Sequence, residues 1–223
     1  MKVLIVGAHG KVARHLTPRL VEGGHEVVGL VRNPDHVADL ESDGAAPVVL
    51  DIETATSADL SPHVRGADAV VFAAGAGGKG GSERKQHVDR DGALKLADAA
   101  SVAGVRRYLL VSAMGLQAVV DGATPDGVEP GFVEYLRAKL EAEDALRSRP
   151  ELDLTVLRPG HLLDDEGTGS VTLSRSTLEV GGVPRADVAA VLVALLQAPG
   201  TAGQTLELVS GDVPVEQAVA ALA

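Results

Sequence analysis

Apolar residues along this chain fall into short runs separated by longer periodic segments. Val3–Val6, Val27–Val31, Val48–Leu50, Val70–Phe72, Tyr108–Val111 and Leu154–Leu157 have the composition of parallel strands covered by helices on both faces. A seventh run, Leu206–Val209, alternates through Glu207 and predicts a more exposed strand. Between the runs, Val12, Leu16 and Leu20 recur one helical turn apart, which gives the first helix a single buried stripe. Asn33-Pro34-Asp35 supplies an N-cap, a first-turn proline and an acid that suits the helix dipole, and Gly44 closes that helix. Ser82-Glu83 opens a long helix that ends at Gly104. Further helices are predicted from Pro130 to Arg149, from Pro184 to Gln197 and from Val215 to Leu222.

This alternation predicts an α/β fold, a doubly wound parallel sheet of about seven strands with helices on both faces. The segment Thr168 to Val183 breaks the rhythm and is expected to hold a hairpin, Val171–Leu173 with Leu178–Val180. With no linker in sight, residues 1–223 are expected to form one domain.

Composition narrows the function. Aromatic residues are only 2% of the chain, so Val, Leu, Ala and Ile must fill the core. The net charge is −11 and no basic run exceeds Arg106-Arg107, which leaves no footprint for nucleic acid. The absence of cysteine excludes disulfides, thiolate catalysis and cysteine zinc sites. The histidines are scattered without metal-ligand spacing, and Asp164-Asp165-Glu166 beside Gly167 reads as a solvated loop, so no metal is expected. There is no G-x-S-x-G elbow for a hydrolase. The longest apolar stretch, Val188 to Leu196, falls short of a membrane span, and the first apolar run is too short for a secretory signal. A cytoplasmic protein is expected, with neither membrane nor nucleic acid as a partner.

The chemistry starts at Gly7-Ala8-His9-Gly10-Lys11-Val12-Ala13, which directly follows the first strand and opens the first helix. Gly7 permits a tight turn, Gly10 lets the backbone approach a pyrophosphate, and Ala13 lets the helix lie close to the sheet. The helix N-terminus adds free N–H groups and the positive end of a dipole. In a Rossmann fold this is where a dinucleotide binds. The second strand ends Leu30-Val31-Arg32-Asn33, without the acid that would accept the ribose 2′-OH of NAD. Arg32 there suits a 2′-phosphate, so NADP(H) is expected in preference to NAD(H). Lys11 is a second candidate phosphate partner. His9 either lines the pyrophosphate or fills the turn. Asp51 and Ile52, after the third strand, are placed to bracket the adenine. Ala73-Ala74-Gly75, after the fourth, are small enough for sugar and pyrophosphate to lie against the backbone.

Tyr135 and Lys139 lie one turn apart on one face of a helix that follows the fifth strand. Together with Gly7-x-x-Gly10-x-x-Ala13, Val31-Arg32-Asn33-Pro34, Val111-Ser112, Arg158-Pro159-Gly160 and Arg185-Ala186-Asp187-Val188-Ala189, they make the chain resemble the atypical short-chain dehydrogenase/reductases, specifically the small epimerase-like group. The resemblance covers nearly the whole chain. It implies that Tyr135 is a general acid/base, that Lys139 tunes it and holds the nicotinamide ribose, and that Ser112 holds a substrate oxygen. A nearby ammonium, together with the cofactor's positive ring, is expected to lower the tyrosine pKa from its ordinary value near 10. It also implies that Val111 and Pro159-Gly160-His161-Leu162 pack near the nicotinamide, that the part from about residue 159 serves the substrate, and that the helix around Tyr135 is a homodimer face. His161 is either a second acid/base or a histidine satisfied by backbone.

The chain departs from the family pattern at Val111-Ser112-Ala113, where two adjacent hydroxyl residues are common. If Ala113 takes the catalytic slot, Ser112 either substitutes or caps the strand. The expected function is therefore an NADP(H)-dependent oxidoreductase or epimerase-like enzyme acting on a small carbonyl or hydroxyl substrate. The alternative is a redox sensor or scaffold that binds NADP(H) without turnover.

Overall fold

The computed structural model describes residues 1–76 and 81–223. Six strands, β1 (Lys2–Val6), β2 (Glu26–Val31), β3 (Ala46–Val49), β4 (Ala69–Phe72), β5 (Arg107–Val111) and β6 (Asp153–Pro159), pair in parallel in the order β3-β2-β1-β4-β5-β6. From β1 the chain moves one way to β2 and later returns to the other side as β4. The strand order therefore reverses between β1 and β4, which opens a crevice at their C-terminal ends.

Alternation along the strands splits the core into two layers. Val3 and Ile5 of β1 face one side with α1 (Lys11–Glu22), α2 (Val37–Ser42), α7 (Arg185–Leu196) and α8 (Val215–Ala220). Leu4 and Val6 face the other, where α3 (Ser57–Val64), α5 (Gly92–Ala103) and α6 (Pro130–Arg147) pack. Strands buried on both faces need continuous apolar runs, the pattern the chain supplies.

The long helix expected from Ser82 to Gly104 begins at α4 (Ser82–Lys85) and continues through a π-helical stretch, Gln86–Asp91, into α5. It closes at Gly104, whose φ of +74° is the left-handed cap a glycine favours. The wide turn has a functional consequence, because it places Asp89 against the crevice. The pattern reading missed α3, although Thr56 and Asp59 form a capping box that announces it.

The C-terminal third corrects two expectations. Thr168 to Val183 contains no hairpin. Instead β8 (Ser170–Ser174) pairs antiparallel with β10 (Thr205–Ser210), which itself pairs in parallel with β6, and β11 (Val213–Pro214) adds outside β8. The main sheet thus has nine strands, and Leu178–Val180 lies outside it. The alternation of β10 does not mean exposure either. Glu207 is buried because the Leu178 N–H donates to it at 2.8 Å and Arg158 lies 3.8 Å away. A parallel pair, β7 (His161–Leu163) with β9 (Gly182–Pro184), stands beside the crevice. No helix among the described residues is long and apolar enough to cross a membrane.

Candidate active site

Two adjoining cavities lie over the C-terminal ends of β1 and β4, with Gly10 and Ala73–Gly75 as their common wall. One, of about 290 Å³, is lined by Gly7, His9, Arg32, Asp51 and Ile52. The other, of about 510 Å³, is lined by Lys11, Val12, Val111, Ser112, Tyr135, Lys139 and Leu162. Residues drawn from ends of five strands and from α1 and α6 thus converge on one elongated trough.

The glycine loop fits a dinucleotide on its own geometry. Gly7 has φ of +83°, and a Cβ there would stand 2.6 Å from the Ala74 Cα, so no other residue allows this turn against β4. Gly10 caps α1 without a side-chain hydrogen bond, and the first turn carries no acid. The leading N–H groups of α1 are therefore open at the trough, whereas Thr56 caps α3 and Glu129 caps α6. This uncapped end suits a pyrophosphate.

In the smaller cavity Arg32 donates to Glu53 at 3.1 Å, and Arg84 donates to the same carboxylate at 2.8 Å. Two guanidinium groups thus share one acid at the end of β2. Asp51 accepts the Glu53 N–H at 3.0 Å, so it shapes the loop that also presents Ile52. Lys95 pins that loop through the carbonyls of Ile52 and Glu53. His9 stacks on His36 with ring centres 3.5 Å apart and bonds Asp39 at 2.8 Å, while it lines the smaller cavity. Lys11 is mostly exposed and is paired with Asp164 at 2.6 Å, and Arg185 reaches the other oxygen of Asp164. The acidic loop is therefore a clasp across the trough, and the described residues hold no metal-ligating cluster.

In the larger cavity Lys139 is shut off from solvent. Its Nζ lies 3.0 Å from Asp89 Oδ1, donates to the Val111 carbonyl at 3.1 Å, and sits 5.8 Å from the centre of the Tyr135 ring. Burial works against the Lys139 charge, but Asp89, Tyr135 and Glu143 outweigh it and raise its pKa. Asp89 is fully buried and also accepts the Ala76 N–H at 2.9 Å. The expected lowering of the Tyr135 pKa is not found: burial and the Asp89 carboxylate push it up, against the opposing pull of Lys139. The ammonium pulls the phenol down as expected, but burial, with Asp89 adding to it, outweighs that pull.

Ser112 lines the cavity and Ala113 does not. However, its hydroxyl donates to Glu143 at 2.5 Å. Glu143 is fully buried and takes two hydrogen bonds from Arg158, at 2.9 and 2.6 Å, and another from Arg147. Burial opposes the Arg158 charge, yet Glu143 and Glu207 raise its pKa. Ser112 therefore presents only acceptor lone pairs to the cavity, not the donor its expected role requires. Of Pro159-Gly160-His161-Leu162, only Leu162 lines the trough. A Cβ on Gly160 would stand 2.1 Å from the Gly181 carbonyl, so that glycine lets β9 approach. His161 is exposed, and its N–H pairs with Gly181. Neither acid/base contact nor nicotinamide contact is built for it.

Sequence reasoning missed Asp89, Glu143, Glu53, Arg84 and Lys85. Glu143 did leave a signal: Lys139, Glu143 and Arg147 recur every four residues beside the buried Ala138, Ala142 and Leu146. Charges on the buried face of a helix must be paired.

Residues 7–199 match the family described as NAD(P)H-binding. The uncharacterized sugar epimerase YhfK of Bacillus subtilis is 34% identical over 98% of this chain and 99% of its own length. The UPF0659 protein YMR090W of Saccharomyces cerevisiae is 35% identical over 100% and 99%. Among solved structures, a Bacillus halodurans protein provisionally named an NAD-dependent epimerase/dehydratase superposes with a TM-score of 0.88 at 39% identity, covering 100% of both chains. ChuY of Escherichia coli O157:H7, described as an anaerobillin reductase, does so with a TM-score of 0.79 at 26% identity over 96% and 98%.

Proposed function

Because the chain belongs to the NAD(P)H-binding family, in its atypical short-chain dehydrogenase/reductase-like branch, we propose that it is an NADP(H)-dependent oxidoreductase or epimerase-like enzyme acting on a small carbonyl or hydroxyl substrate. The observation that carries this reading is the placement of Tyr135 beside Lys139 in a cavity that shares its wall with the glycine-loop cavity. A ligand lying along that wall brings one end to Arg32 and the other to Tyr135.

Gly7, Gly10 and the open end of α1 hold the pyrophosphate, Asp51 and Ile52 border the adenosine, and Arg32 with Arg84 meets the 2′-phosphate. The nicotinamide supplies or accepts hydride when bound. Tyr135 is the proton donor to the substrate oxygen. Burial keeps the phenol protonated at neutral pH, so the proton is there to give, and the raised pKa makes it the weaker acid. Lys139, held by Asp89 and Val111, fixes the tyrosine's surroundings. Ser112 is wall rather than donor. Leu162 and Arg185, from the part beyond residue 159, close the substrate side.

The buried phenol of Tyr135 also favours the second reading, an NADP(H)-binding sensor that does not turn over, since burial and the nearby Asp89 carboxylate disfavour the phenolate. Single-turnover oxidation of NADPH by a panel of small aldehydes, ketones and quinones separates the two. Turnover that Tyr135→Phe abolishes supports the enzyme; tight NADPH binding with no acceptor across the panel supports the sensor.

A further inference from the structure

Four cationic side chains line the larger cavity, and among the described residues three of them have acid partners. Lys139 pairs with Asp89, while Lys11 and Arg185 share Asp164. The fourth, Lys85, is 4% exposed and has no carboxylate within ion-pairing distance among the described residues. An ammonium carries three N–H donors. Lys85 gives one to the Gly131 carbonyl at 2.7 Å, and the described residues supply no acceptor for the other two. Glu129 lines the same cavity across Gly131 but makes no ion pair with Lys85; its two oxygens accept the N–H groups of Gly131 and Phe132 at 3.0 and 2.9 Å. Because Lys85 lines the cavity, its remaining donors are placed to meet an acceptor that enters there.

We infer that Lys85 binds an anionic oxygen of the substrate, a carboxylate or a phosphate, and so restricts this site to anionic substrates. The inference rests on the proposed function, since it takes the larger cavity as the substrate side. Lys85 stands on α4 against the first turn of α6, whereas the open N-terminus that suits the pyrophosphate belongs to α1, at Gly10. Phe132, Tyr135 and Leu162 give the rest of the cavity an apolar character, so the anion would be the polar end of a partly apolar molecule.

Acetate and acetamide share a shape and differ in charge, which makes them matched probes; inorganic phosphate, read by its displacement of acetate, is the third. Saturation-transfer NMR is run on the full chain and on Lys85→Gln, with and without NADP⁺. Glutamine keeps a donor for the Gly131 carbonyl, and circular dichroism with NADPH titration checks that the variant folds. The expected result is acetate binding roughly tenfold more strongly than acetamide, with that preference lost in Lys85→Gln and NADPH affinity held within about twofold. Displacement of acetate by phosphate at lower concentration than by unlabelled acetate assigns the phosphate class; the reverse order assigns the carboxylate class. Equal binding of acetate and acetamide, no binding of either, or an acetate preference that survives in Lys85→Gln overturns the inference. Failure of NADPH to bind the wild-type chain sinks the cofactor reading separately, because the cofactor-free arm still reports on Lys85.

Discussion

Lys139 and Asp89 meet at 3.0 Å, Nζ to Oδ1, with their side chains 3% and 0% exposed. The contact joins α6 to the π-turn before α5, and it lies directly under the larger cavity. It fixes the lysine in place, and the Asp89 carboxylate adds to the burial that makes the neighbouring tyrosine less acidic than the Tyr/Lys spacing suggests.

Breaking that pair from one side leaves an ammonium buried without a counterion. Asp89→Asn is expected to destabilise the chain by about 3–5 kcal/mol. Urea unfolding at neutral pH measures this. A loss below about 1 kcal/mol would mean that the pair is open to water in solution.

The phenols give a pH signature. The chain has two tyrosines, and both are raised: Tyr108 by complete burial, Tyr135 by burial and by Asp89. The unfolded chain therefore releases these protons first. Stability from both groups is fully present below about pH 10 and is lost as the pH climbs beyond it. Ultraviolet difference titration should show no phenolate step at about pH 10 while the protein remains folded. A step at or below that value, removed by Tyr135→Phe, would restore the lowered tyrosine that the spacing alone predicts.

Tyr135→Phe removes a hydroxyl with no recorded partner among the described residues and leaves the ring stacked on Phe132, 5.7 Å away. Turnover should fall roughly 10²–10⁴-fold while NADPH affinity and stability are kept. Ser112→Ala, by contrast, should lose no more than a few-fold in kcat, because its proton goes to Glu143. A large kcat loss in Ser112→Ala with unchanged stability would make Ser112 the oxygen-holding group after all.

Glu53 sits between Arg32 and Arg84 and competes with any phosphate for both. Glu53→Gln should strengthen NADPH binding by roughly three- to tenfold and leave NADH nearly unchanged, as expected for removal of one facing charge. Fluorescence titration at low salt reads the ratio. An equal change for both cofactors would place the 2′-phosphate away from this pair.

The parallel half of the sheet and the glycine loop were legible in the chain because their signals are local. An apolar run declares a strand covered on both faces, and Gly7 declares a turn with positive φ. The C-terminal sheet was not, because the pairing of β8 with β10 is settled by register between distant segments, and nothing within Thr168–Val183 specifies it. The alternation through Glu207 was read as exposure, when Arg158 and the Leu178 N–H satisfy a buried acid there. The Tyr135 and Lys139 pair was visible from spacing, but its electrostatics depended on Asp89, which lies in another helix and reaches the site only through the π-turn. The commitment of Ser112 to Glu143 was hidden for the same reason, since it joins a strand end to a helix face.

Binding of NADP(H) in this trough with its 2′-phosphate at Arg32 is read by titrating the wild-type chain and Arg32→Ala with NADPH and with NADH, followed by nicotinamide fluorescence. NADPH is expected to bind at least roughly tenfold tighter than NADH in the wild type, with the preference collapsing in Arg32→Ala and NADH affinity unchanged. NADH bound as tightly as NADPH by the wild-type chain, or a preference that survives the loss of Arg32, would contradict it.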